Sequence, residues 1–61
     1  MDKIILSNCA YTILDNAQAI MTECNRENPY SGYLLEKIKP IENDLQVIKE
    51  ECLRGNNNEK I

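Results

Sequence analysis

Histidine, tryptophan and phenylalanine are absent from these 61 residues, and glycine and proline occur only twice each. Without histidine, both the commonest general base and the commonest metal ligand are missing. Ser7 and Ser31 therefore have nothing to activate them, and Cys9, Cys24 and Cys52 have no paired base. Gly32 and Gly55 are isolated, so no glycine-rich phosphate loop exists. Only thiolates remain as strong metal ligands, and they are widely spaced with no CxxC. The chain reads as a non-enzyme with no cofactor and no metal.

Long apolar runs are also lacking. Ile4, Ile5 and Leu6 are cut off by Ser7 and Asn8, too early for a signal peptide. The stretch up to Thr22 carries Thr12, Asp15, Asn16 and Gln18 as well, which argues against a membrane span. Seven Lys+Arg against ten Asp+Glu give a formal charge of −3. Nucleic acid and anionic membrane are poor partners for such a surface. An odd number of cysteines is no disulfide framework; it reads as small apolar residues in a reducing cytoplasm.

What is present is periodicity. Leu6, Ala10, Ile13, Ala17, Ile20 and Cys24 follow one another in alternating steps of four and three, as do Leu34, Ile38, Ile41, Leu45, Ile48 and Cys52. This is the heptad spacing of a coiled-coil seam. Asp2 suits an N-cap, Asn28-Pro29 a second helix start with Ser31 as alternative cap, and Gly55 a C-cap. The expected organisation is all-α: one helical-hairpin domain over 1–55, with helices over about 3–25 and 29–54, a turn at 26–29 and a flexible tail over 56–61. A short turn forces the helices antiparallel. If it centres on Pro29, facing residues have numbers summing to 58, which pairs Leu6 with Cys52, Ala10 with Ile48 and Ile13 with Leu45. The same register sets Glu23 against Lys37 and brings Cys9 within about a turn of Cys52, near enough to raise the question of a disulfide. Pro40 falls inside the second helix, at an outer position, and either kinks or breaks it.

One such seam gains less than the ordering of some fifty residues costs, so a second buried surface is expected. One flank of the seam supplies it: Ile4, Tyr11, Leu14, Met21, Leu35 and Leu53. The other flank is charged. An apolar flank on so small a chain reads as an interface, most simply between two copies forming a four-helix bundle. The first helix has Asp15 as its one charge between Ile4 and Thr22, and otherwise neutral polar side chains. Asn8, Thr12, Asp15 and Asn16 are thus candidates for a ligand or recognition surface. Tyr30 and Tyr33 are candidates for a contact at the hairpin tip.

In length, two heptad helices and a polar acidic tail, the chain resembles the Rop-type plasmid copy-number regulators, helical hairpins that dimerise into four-helix bundles and bind paired RNA loops. That resemblance implies an RNA-binding alternative. The family's RNA face consists of basic residues on the first helix, where this chain has Lys3 alone before Arg26. The reading is a cytoplasmic, homo-oligomeric protein of phage or mobile-element type that acts on another protein as regulator or inhibitor. The alternative is an oligomer holding a small ligand at its interfaces.

Overall fold

The computed structural model describes residues 1–59, and for 56–59 the backbone path alone. Two helices, α1 (Lys3–Cys24) and α2 (Ser31–Glu59), pack against each other as a hairpin. The hairpin spans 53 × 16 × 13 Å. Among the described residues no helix is long and apolar enough to cross a membrane.

Local chemistry sets the helix ends. Asp2 is extended, and its carboxylate accepts from the amides of Ile4 at 3.0 Å and Ile5 at 3.2 Å, serving donors that lack a partner within the helix. At the other end of α1 the side-chain amide of Asn25 donates to the Met21 carbonyl at 2.8 Å. Pro29 stands at the end of the connection, not at its centre, and α2 begins two residues later than the Asn28-Pro29 signal predicts. The Tyr30 carbonyl accepts the first bond of that helix, from the Leu34 amide at 3.2 Å.

α2 runs unbroken through Pro40, so of the two alternatives there, kink or break, the break does not occur. The ring removes one N–H and leaves the Glu36 carbonyl without its helical partner. The helix also continues through Gly55, which has no positive φ and so is not a left-handed cap. The segment expected as a tail is helical as far as Glu59, and Lys60 and Ile61 lie outside the described residues.

The helices meet in a different register from the one the sequence suggests. Asp2 lies beside Glu51 and Glu23 beside Tyr30, and each pair sums to 53 rather than 58. The turn therefore centres near Arg26 and Glu27, and α2 is displaced by about five residues, roughly 7.5 Å. Cys9 is buried with Asp44 close by, Cys52 is exposed, and Cys9, Cys24 and Cys52 are all free thiols.

Each helix is also rotated about its axis. Leu6, Ile13 and Ile20 on α1, with Leu34, Ile41 and Ile48 on α2, keep the half-buried seam positions expected of them. Their neighbours within the seam are Cys9, Asn16 and Glu23 on α1 and Lys37, Asp44 and Glu51 on α2. Ala10, Ala17, Cys24, Leu45 and Cys52, expected inside the seam, are exposed. Each helix thus carries two adjoining apolar rows. The hairpin covers one row and leaves the other in water.

Candidate functional site: an exposed apolar face held in place by two carboxylate clasps

The rotation has a local cause. Glu23 and Glu51 are the buried charged residues of the described chain, at 5% and 6% exposure. Glu23 Oε2 accepts from the Tyr30 amide at 2.9 Å, and Oε1 pairs with Arg26 Nη1 at 3.2 Å. Glu51 Oε2 accepts from the Asp2 amide at 2.7 Å, and Oε1 pairs with Arg54 Nη2. Each helix, near its C-terminal end, thus offers a carboxylate to the backbone where the other helix begins. Negative charge is favourable there, because the first amides of a helix point outward and carry partial positive charge. The two glutamates reach those amides only when they face the opposite helix. That requirement turns Ala10, Ala17 and Leu45 away from the seam.

The Tyr30 amide is the main reason the Glu23 carboxyl lies below the usual glutamate range; Arg26 adds to this, while desolvation opposes it. The Glu23–Lys37 pair expected from the sequence is not formed. Lys37 Nζ instead lies 5.2 Å from the centre of the Tyr33 ring.

The clasps are two copies of one motif, E-C-x-R at 23–26 and again 28 residues later at 51–54. The same offset relates Leu6 to Leu34, Ile13 to Ile41, Gln18 to Gln46 and Ile20 to Ile48. Twenty-eight residues is four heptads, so the hairpin has approximate twofold symmetry about an axis normal to the plane of its helices. That symmetry maps each broad face onto itself.

One broad face is apolar. Advancing about 100° per residue from the seam, α1 contributes Ala10, Ala17 and Cys24, then Leu14 and Met21. From the antiparallel helix, Leu45 and Cys52 reach the same face, then Leu35. All of these side chains are exposed. Ile38 joins them half-buried, and Ser31, Glu42 and Lys49 make a polar edge. A shallow groove along α2 is lined by Leu35, Ile38 and Glu42, among others.

The six candidate interface residues are all between 51% and 73% exposed. Leu14, Met21 and Leu35 rim the apolar face. Ile4 and Tyr11 on α1, and Leu53 on α2, lie further round, toward the outer edges. The centre of the face was missed because Ala10, Ala17, Cys24, Leu45 and Cys52 all read as seam residues.

The polar candidates do not join this face. Asn8 and Asp15 are exposed on the opposite side, Thr12 is half-buried beside the seam, and Asn16 is half-buried within it. Thr12 Oγ1 donates to the Asn8 carbonyl at 3.1 Å, and Asn16 Nδ2 donates to the Thr12 carbonyl at 2.8 Å. Two of the four therefore spend side-chain hydrogen bonds on their own helix. At the tip, Tyr30 is exposed and its ring lies over Gly32, where an added Cβ would sit 2.8 Å from the ring. Tyr33 is half-buried.

Among the described residues, Cys9 is the one buried apolar side chain, and no large side chain is fully enclosed. What this arrangement offers is an elongated surface that is apolar along one side and polar along the other. No family model, curated protein or solved structure matches the chain.

Proposed function

We propose that the protein is a non-enzymatic helical hairpin that pairs with a second copy of itself through the apolar face, forming a four-helix bundle, and acts by binding another protein. The observation that supports this is the face itself. A hairpin whose one buried apolar residue, among the described residues, is Cys9 has almost no interior, while Leu14, Met21, Leu35 and Leu45 stand in water on or beside one side. Apolar surface of that extent on a small chain is stable when covered by protein. In a two-hairpin bundle the second apolar row of each helix becomes core, and the polar side carrying Asn8 and Asp15 stays outside as the surface shown to other molecules. The reading fits a regulator or inhibitor in a reducing cytoplasm, where Cys24 and Cys52 stay thiols inside the bundle.

The test is native mass spectrometry in reducing buffer, on the wild type and on the Leu14→Glu/Met21→Glu double variant. The expected result is a dimer for the wild type and a monomer for the variant. A wild type that binds a foreign chain as a monomer would overturn self-pairing, and a variant that still assembles would show that the face is misassigned.

A further inference from the structure

The apolar face has one row of small side chains, Ala10, Ala17 and Cys24 on α1, and one row with larger ones, Ile38, Leu45 and Cys52 on α2. This asymmetry bears on how two copies can pack, given the proposal above that the face joins two copies. Two hairpins placed face to face by a twofold axis have two arrangements. An axis running across the helices sets α1 on the partner's α1 and α2 on the partner's α2, with the turns at opposite ends. Ala10 then meets the partner's Ala17, and Ile38 meets the partner's Leu45. One side of the bundle is pinched and the other wedged apart, which leaves gaps along the seam. An axis running along the helices sets α1 on the partner's α2, with both turns at one end. This axis keeps every residue at its own height, so the hairpin's own register carries over to the contact. Ala10 meets the partner's Leu45, Ala17 the partner's Ile38, and Met21 the partner's Leu35. Small faces large along the length, and the four helices sit at even spacing.

We propose that the second copy docks in this way: α1 against the partner's α2, twofold axis parallel to the helices, both turns at the same end. The size of the face suits it. Over the 22 residues of α1, about 33 Å at 1.5 Å per residue, and a width of 16 Å, the face has a footprint on the order of 500 Å², so two copies bury about 1,000 Å² together, the lower bound for a specific interface. The edge residues Ser31, Glu42 and Lys49 form the polar rim that such an interface has. Tyr30 and Arg26 of the two copies then come together at one end, so that whatever the tip contacts is met by two tips.

The test is a pair of distances between copies. Spin labels go on Glu27→Cys at the turn, with Cys24 and Cys52 replaced by Ala and the buried Cys9 left in place. Helices about 8–10 Å apart place the two turns within roughly 15–25 Å of each other in the proposed arrangement. The crossed arrangement, with Ala10 on the partner's Ala17, places them about 40 Å apart at 1.5 Å per residue. The second measurement uses unaltered protein mixed from two isotopic preparations. An amine-reactive linker reaching about 20 Å joins Lys3 to the partner's Lys3 only when the open ends coincide, and it decides the matter if the labelled variant does not pair. A short distance and a Lys3–Lys3 crosslink are expected. A long distance, or no such crosslink in a dimer seen by native mass spectrometry, overturns this packing and leaves self-pairing standing. A wild type that is monomeric by the same measurement overturns both.

Discussion

Leu45 separates a face used between copies from a seam used within one. It is half-exposed in the hairpin, at 51%, while Ile48, one turn further on, is half-buried in the seam. Fully burying a leucine side chain is worth about 1.5–3 kcal/mol, so covering the exposed half of Leu45 on pairing contributes about 1 kcal/mol. Two such sites in a symmetric dimer make about 2 kcal/mol, and Leu45→Ala is expected to raise the dimer dissociation constant about 30-fold. A cavity that fails to collapse adds to this. The helix itself does not suffer, because alanine is the better helix former. Isothermal dilution calorimetry gives the dissociation constant, and circular dichroism at high concentration gives the helix content. Ile48→Ala is expected to act the other way round, lowering the melting temperature at every concentration. A Leu45→Ala protein whose dissociation constant lies within threefold of wild type, or which loses helix while still paired, would refute the placement of Leu45 on the outer face.

Three further outcomes follow from the clasps, the helix end and the thiols. The Glu23 carboxyl is depressed in the folded chain, chiefly by the Tyr30 amide, so its contribution to stability is present above the ordinary glutamate pKa and fades as pH falls. Wild type should therefore melt above Glu23→Gln near neutrality, and the gap should close as the pH is taken toward about 3; a gap that widens would contradict the clasp. Gly55→Ala should stabilise the hairpin by up to about 1 kcal/mol, because Gly55 is helical, with only the exposed end of Met1 in the way; a loss of stability would mean that Gly55 is a left-handed cap. Cys9 should react slowest with a thiol reagent at every concentration, since burial and the nearby Asp44 raise its pKa, whereas Cys24 and Cys52 should react quickly in dilute protein and slowly once copies pair. Equal rates at Cys9 and Cys24 in dilute protein would refute the burial pattern.

The two helices were legible because Leu6 to Cys24 and Leu34 to Cys52 repeat with a helical period that no strand pattern rivals, and because Asp2 announces its own cap. The register was not, because Pro29 looked like the centre of the turn. A proline that ends a connection and one that centres it are alike in sequence. The rotation was hidden for a different reason. Two adjoining apolar rows on each helix allow more than one choice of seam, and the deciding residues read as surface charges, Glu23 in a pair with Lys37 and Glu51 on the charged flank. The signal that identifies them is their pairing: E-C-x-R recurs at 51–54 in step with repeats at Ile13/Ile41 and Ile20/Ile48. Within the candidate face, the rim residues Leu14, Met21 and Leu35 are readable as an apolar flank, whereas the rotation carries Ile4, Tyr11 and Leu53 to the outer edges. Its centre is not, since Ala10, Ala17 and Leu45 fit the heptad spacing of the hairpin's own seam equally well.

The claim on which the rest depends is that this face is covered by a second copy. Sedimentation equilibrium of the reduced wild-type chain over a wide concentration range tests it directly. The account predicts a helical species of twice the 7.0 kDa chain mass that dissociates only on dilution. A folded, helical species of 7.0 kDa at every concentration would contradict it.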